Sequence, residues 1–260
     1  MMIKPKIHRT AIVASNAKLA EGVSIGPYCI VGNGVKIGKN TKLISHVFIE
    51  ETEIGSDCTV YPFTTIGVPP QDTKYNGEKT RVKIGNRNII REYTTIHRAS
   101  VGGDHVTAVG NDNFLMAYVH IAHDCKIGNS ITMANAATLA GHVTVEDFAV
   151  IGGLVAVHQF TKIGTCAMIG GISGVVQDIP PYTTASGNRA KLYGLNTIGL
   201  KRRGFDEATI KDIKLAYKIL FRSKLRLKEA IDKIKTEIRP SDEINHLLQF
   251  LEQNKRGICR

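Results

Sequence analysis

The chain has no tryptophan, and aromatic residues make up only 6% of its 260 positions. The few rings are not interleaved with its basic residues, so there is no row of stacking platforms and nucleic acid is not expected as a partner. No apolar run reaches the ~18 residues that a membrane span needs. The N-terminus, Met1-Met2-Ile3-Lys4-Pro5-Lys6, carries charge but lacks the apolar stretch of a secretory signal. A cytoplasmic location is therefore expected. The five cysteines, Cys29, Cys58, Cys125, Cys166 and Cys259, include no Cys-x-x-Cys pair. That argues against a disulfide framework or a zinc knuckle and for small packing residues in a reduced compartment.

An aliphatic residue returns every six positions. The first run is Ile7, Val13, Leu19, Ile25, Val31, Ile37, Leu43 and Ile49. Shorter runs follow at Ile54, Val60, Ile66 and at Ile84, Ile90, Ile96. The last is unbroken from Val109 through Ile121, Leu139 and Val157 to Val175. The fifth place of each hexad is small or β-branched, as at Val23, Cys29, Val35 and Thr41. A fixed short period is the mark of a solenoid. A six-residue period with one inward aliphatic predicts a mostly β protein, a parallel β-helix of hexapeptide repeats over residues 1–185. The general rule for parallel crossovers favours right-handed winding, and the period itself does not decide the hand.

Three interruptions stand out. The step from Ile49 to Ile54 is one residue short, and we expect it to be remote from any site. Residues 67–83, rich in Pro, Gly and polar groups, read as a protruding loop. A Gly-containing break spans Val101 to Ala108. Loops that leave a regular scaffold are where function concentrates. The repeats end near Pro180-Pro181, which we expect to cap the open sheet edges. Residues 186–260 then read as a small helical domain. Its helices start at Asp206, cover Ile231 to Ile238, and restart at Ser241 after Pro240. The net charge is +11, and the last sixty residues hold sixteen Lys/Arg against nine Asp/Glu. Such a surface suits an acidic or phosphate-bearing partner.

Four of the nine histidines crowd one stretch: His120, His123, His142 and His158. With three hexads per coil, Gly141 falls one coil above His123, beside His142. An imidazole near neutral pH serves as a base, and a glycine amide can approach closely and hold an oxyanion. Two chemistries fit. One is metal-free acyl transfer. The other is a zinc site like that of γ-class carbonic anhydrases, and Asp124 suits either.

Local motifs go further. His120-Ile121-Ala122-His123-Asp124-Cys125, Gln71-Asp72-Thr73-Lys74-Tyr75-x-Gly77-Glu78, Thr95-Ile96-His97-Arg98, Gly141-His142, His158-Gln159-Phe160 and Gly199-Leu200-Lys201-Arg202-Arg203-Gly204-Phe205 resemble the acyl-carrier-protein-dependent UDP-N-acetylglucosamine O-acyltransferases of lipid A biosynthesis. The resemblance covers nearly the whole chain. It implies a left-handed parallel β-helix with a helical C-terminal domain, a homotrimer with sites between neighbours, and no cofactor or metal. The implied substrates are UDP-N-acetylglucosamine and an (R)-3-hydroxyacyl chain on acyl carrier protein. His123 matches the family's general base, Asp124 its orienting carboxylate and Gly141 its oxyanion donor. Gln71, Asp72, Lys74, His97, His120, His142, His158, Gln159, Asn196, Arg202 and Arg203 match substrate contacts. Gly171 falls where the family sets acyl length. Ile198 departs from the family pattern, which has an acidic residue there. Relatives that acylate a 3-amino UDP-sugar remain an alternative.

Overall fold

The computed structural model describes residues 4–101, 103–254 and 256–260. Each hexad forms a two-residue strand whose second residue points inward. Ile49, Ile66, Ile96, Ile121 and Leu139 are all fully buried. The small fifth-place residues Val23, Cys29, Val35 and Thr41 are buried with them. Their size lets successive coils close on one another at interior packing density. The described strands form three sheets of eleven, nine and eight strands, parallel except for one terminal pair. Ile121 pairs with Leu139 and Leu139 with Val157, so a regular coil takes eighteen residues.

The coil has three corners. The first joins the eleven-strand to the nine-strand sheet, the second the nine- to the eight-strand sheet, and the third returns to the eleven-strand sheet. Each corner puts the fourth residue of the hexad in the left-handed region, as at Tyr118 (φ 65°), Asp124 (φ 60°), His142 (φ 61°) and Phe148 (φ 64°). Such backbone costs ~1–2 kcal/mol for a side chain with a Cβ. It is offset because that residue's amide reaches the coil below, as His142 N–H does to His123 O (3.0 Å) and Phe160 N–H to Gly141 O (3.1 Å). Fourth-place side chains therefore stand in columns. On the first corner Tyr28, His46, Phe63, Tyr93 and Tyr118 stack with ring centroids 4.8–5.0 Å apart. Inside the third corner Asn86, Asn111, Asn129 and Asp147 pass hydrogen bonds up the stack.

All three breaks in the period lie on the second corner. The short step falls between strands Phe48–Ile49 and Thr52–Ile54. The long excursion, 67–80, leaves after Thr65–Ile66 and returns at Arg81–Ile84. It is three residues shorter than the hexad count suggested, because the receiving strand begins at Arg81, three residues before the inward Ile84 from which the period was counted. The second excursion, 97–105, leaves after Thr95–Ile96 and returns at Val106–Val109. The short step is thus on the same edge as the histidines, contrary to our expectation that it would be remote. Its Glu50 accepts a hydrogen bond from Arg98 Nη1 (2.9 Å), a residue of the second excursion.

The upper end is closed by returning chain, with Pro180 and Pro181 buried beneath it. A hairpin, Thr183–Ser186 with Lys191–Leu195, extends the eleven-strand sheet. The tail brackets Asp178, which donates to Gly257 O and accepts from Cys259 N (both 2.9 Å). Helix α1 spans Thr197–Arg202, α2 Glu207–Arg222, α3 Leu227–Glu237 and α4 Asp242–Glu252. Asp206 and Ser241 cap α2 and α4, as their positions before the apolar periods suggested. The four helices share a second core with Cys166 and Tyr182 of the solenoid, built on Ile213, Leu220, Ile234, Leu247 and Leu251.

Candidate active site

The second corner sets the geometry. Position three of one hexad is His123 and, one coil up, Gly141; position four is Asp124, then His142, then Phe160. A Cβ on Gly141 would stand 2.6 Å from His123 Cε1 and 2.7 Å from Nε2. Glycine is therefore what leaves the imidazole its place. The Gly141 amide donates no hydrogen bond among the described residues. His123 Nδ1–H donates to Asp124 Oδ2 at 2.8 Å, which leaves the Nε2 lone pair free. Asp124 is fixed in turn by the amide of Ser100, 2.9 Å from Oδ2. Its own amide donates to Thr107 Oγ1 (2.8 Å). The His142 ring stacks on Phe160 at 4.5 Å, with Nε2 3.8 Å from Asp124 Oδ2.

His97 and His120 adjoin this group, ring centroids 5.3 Å apart. His97 Nδ1–H donates to Pro69 O at the root of the long loop (2.8 Å), and His120 Nδ1 lies 2.7 Å from Thr95 Oγ1. The loop is braced from below. Arg98 donates to Gly67 O (2.9 Å) and to Tyr75 Oη (3.1 Å). Asp72 accepts from Ser100 Oγ (2.6 Å) and from the Lys74 amide (3.0 Å).

Burial would raise the Asp124 carboxyl, but the hydrogen bonds from His123 and Ser100 outweigh it and hold the group below the usual carboxylate range. Asp72 is also held low, first by the Ser100 hydroxyl and then by the Lys74 amide. Burial pushes His142 down despite Asp124, and His97 likewise. His120 is pushed down to about 4 by burial and by His97. His97, His120 and His142 are thus biased toward the neutral imidazole, beside carboxylates at Asp72 and Asp124 biased toward the ionised form.

Other expected site residues lie elsewhere. His158 and Gln159 are exposed on the second corner one coil above Gly141, and Arg256 Nη2 lies 3.0 Å from His158 Nδ1. Gln71 and Lys74 are exposed in the long loop. Gly171 is on the first corner, where a Cβ would meet only Gly153 O, at 3.2 Å, and Gly153 N, at 3.8 Å. Asn196 caps α1 from the third corner, accepting from Gly199 N (3.0 Å) and donating to Cys166 O (2.9 Å). Arg203 lies over the Phe148 ring on that corner (4.4 Å) and lines a cleft of about 540 Å³ with Cys166, Tyr182 and His246. Arg202 and Ile198 are exposed on α1. One chain therefore gathers His97, His120, His123, Asp124, Gly141, His142 and Asp72, and leaves Gly171, Asn196 and Arg203 on other edges. Sequence reasoning missed Ser100 and Thr107. Arg98 and Tyr75 stood within quoted motifs without a role.

His123, Asp124 and His142 offer ligand atoms within 4.8 Å of one another, the one group among the described residues suited to a metal ion. Two imidazoles and a carboxylate are a zinc-type donor set. Here one carboxylate oxygen already takes the His123 and Ser100 N–H groups.

Comparison with known proteins adds the following. The profile described as "Udp N-acetylglucosamine O-acyltransferase; Domain 2" matches residues 178–259, and "Bacterial transferase hexapeptide (six repeats)" matches 4–39. The chain is 69% identical over 256 residues to the acyl-[acyl-carrier-protein]–UDP-N-acetylglucosamine O-acyltransferase of Thermodesulfovibrio yellowstonii, covering 98% of this chain and 99% of that protein. It is 52% identical over 257 residues to the protein of the same name from Syntrophobacter fumaroxidans, covering 98% and 100%. The solved structure of LpxA from Acinetobacter baumannii superposes with a TM-score of 0.95 at 45% identity, covering 98% of this chain and 99% of that one. The hexapeptide β-helix is left-handed, as the resemblance implied and against the general crossover rule.

Proposed function

The chain belongs to the acyl-[acyl-carrier-protein]–UDP-N-acetylglucosamine O-acyltransferase family of enzymes, and from that premise we propose how its own residues carry out the transfer. The acceptor is the 3-hydroxyl of UDP-N-acetylglucosamine, and the donor is an (R)-3-hydroxyacyl thioester on acyl carrier protein. The reaction is an early step of lipid A biosynthesis, in a cytoplasmic enzyme whose five free cysteines suit a reducing compartment. His123 Nε2 takes the hydroxyl proton as the sugar oxygen attacks the thioester carbon. The tetrahedral oxyanion forms against the Gly141 amide. Collapse expels the carrier's thiolate, which recovers the proton from His123. Asp124 holds the ring by Nδ1 and favours the imidazolium. A positioned base is worth ~10²–10⁴ in rate, and one oxyanion donor ~10²–10³. No cofactor is needed for this sequence.

The observation that carries this reading is the approach of Gly141 to His123, with Nδ1 engaged and Nε2 free. Asp72, His97, His120 and His142 adjoin it and, with Gln71 and Lys74 of the exposed loop, would hold the acceptor. Arg202 and Arg203 suit the pyrophosphate, which guanidinium groups bind bidentately. Arg203 lies against the third corner, with Arg202 beside it on α1, the acyl-length position Gly171 is on the first corner, and His123 is on the second. A site that uses all three needs a neighbouring copy, which favours a homotrimer with shared sites. The first corner's exposed ridge of Tyr28, Phe63, Tyr93, Tyr118, Leu154 and Ile172 fits such contact. The basic helical domain suits the acidic carrier protein, chiefly by steering its encounter.

The test is a transfer assay with 3-hydroxyacyl carrier protein and UDP-N-acetylglucosamine, wild type beside His123→Ala. Acyl-sugar should form with wild type, and the variant should lose ~10²–10⁴ of the rate. Equal activity in both removes His123 from the mechanism. Transfer only to a 3-amino UDP-sugar moves the acceptor from oxygen to nitrogen. The His123–Asp124–His142 group favours one other reading, a zinc enzyme. That reading requires about one zinc per chain in the purified protein and loss of activity with chelator.

A further inference from the structure

Ser100 is 2% exposed, and both of its donor groups reach across elements. Its hydroxyl donates to Asp72 Oδ2 on the long loop (2.6 Å), and its amide donates to Asp124 Oδ2 behind the base (2.9 Å). No other described residue bonds to both carboxylates. Asp124 orients His123 and Asp72 faces the acceptor, so the two anions belong to different tasks. We propose that Ser100 is a positioning residue that ties the acceptor-binding loop to the carboxylate of the base and sets where Asp72 stands relative to His123. This deepens the acyl-transfer reading and rests on it.

The two bonds divide the work. The amide bond to Asp124 survives any side-chain change, so the base keeps its orientation when the hydroxyl is lost. Among the described residues, the hydroxyl bond is the only side-chain link from the second excursion to Asp72. Arg98 supplies a separate link to Tyr75 and Gly67 at the loop's flank and root. Losing the Ser100 hydroxyl should therefore free Asp72 without releasing the whole loop or the base. The residue is in effect a tether between acceptor binding and proton transfer.

Hydrogen exchange and kinetics on Ser100→Ala, Ser100→Thr and Asp72→Ala, alone and combined, test this. Amides of 71–78 should exchange faster in Ser100→Ala and in Asp72→Ala, which cuts the same bond from the solvent side, and at the wild-type rate in Ser100→Thr. Unchanged exchange overturns the tether, whether or not the protein transfers acyl groups. In the transfer assay Ser100→Ala should raise KM for UDP-N-acetylglucosamine roughly tenfold or more, as expected for a hydrogen bond to a charged group. Its kcat should stay within about twofold of wild type. Ser100→Thr should restore KM, and Ser100→Ala should add nothing in the Asp72→Ala background. A matching fall in kcat, or additive losses in the double variant, overturns the positioning role. A wild type that transfers nothing counts against the acyl-transfer reading alone, because the exchange result still decides the tether.

Discussion

A single missing methyl shapes the site. The ideal Cβ of a residue at 141 would lie 2.6 Å from the His123 ring, closer than van der Waals contact allows. Its backbone φ is not in the left-handed region, so alanine there strains nothing except the imidazole. Gly141→Ala should thus lower kcat/KM at least ~100-fold, with a thermal midpoint within a few degrees of wild type. A parallel collapse of stability and rate would assign the glycine to folding. His120 supplies a pH prediction. Burial holds its folded pKa at about 4, below the free value. A base depressed in this way leaves stability intact above ~6.5 and erodes it as pH falls toward 4, because the unfolded chain takes up the proton first. Urea midpoints should drop more between pH 7.5 and 5 in wild type than in His120→Gln. The pairing of His123 with Gly141 was legible because the period sets register along the chain. Ser100 and Thr107 were not, since their partners lie across excursions whose path a periodicity does not describe.

Individual elements are held by caps and cross-links. Asn196 begins α1 and bonds the Cys166 carbonyl of the coil beneath. Asn196→Ala removes both links from a side chain only 9% exposed, at a cost of about 1–3 kcal/mol. Chemical denaturation should show that loss even without substrate. A neutral result would leave Asn196 as a substrate contact only. His246 of α4 meets Glu146 of the third corner at 2.8 Å, and that bond raises the ring's pKa. A base raised in the folded state contributes fully below ~6.5 and loses its contribution as pH climbs through the raised value. His246→Gln should therefore cost more at pH 6 than at pH 9. The difference should stay under about 1 kcal/mol, since over a third of the ring is solvent-exposed and the pair is screened. Helices α2, α3 and α4 were readable from apolar spacing, caps and Pro240. Helix α1 and the hairpin before it were not, because a six-residue helix shows no full period and the Gly187 turn resembles any loop.

The solenoid is a triangular stack, and the proposed chemistry would divide among its edges: His123 on one, Gly171 on another, Arg203 on the third. If sites are shared, His123→Ala and Arg203→Ala trimers, each weak alone, should regain activity once subunits are mixed. Random assortment leaves about a quarter of sites with both residues intact. No recovery in verified mixed trimers would place both residues in one chain's site. The six-residue step revealed the stack, but it could not say which edge each interruption occupies. Only sheet membership does: each break leaves a strand of the nine-strand sheet (Phe48–Ile49, Thr65–Ile66, Thr95–Ile96) and returns to one of the eight-strand sheet (Thr52–Ile54, Arg81–Ile84, Val106–Val109). All the spare length has therefore been let out along one edge. Two residues added within 67–80 change how far the loop can reach and leave every core aliphatic facing inward. One residue added at either other edge turns the next strand's core face to solvent. If the long loop holds the acceptor as proposed, lengthening or shortening this single margin would alter acceptor preference while the rest of the count stays fixed.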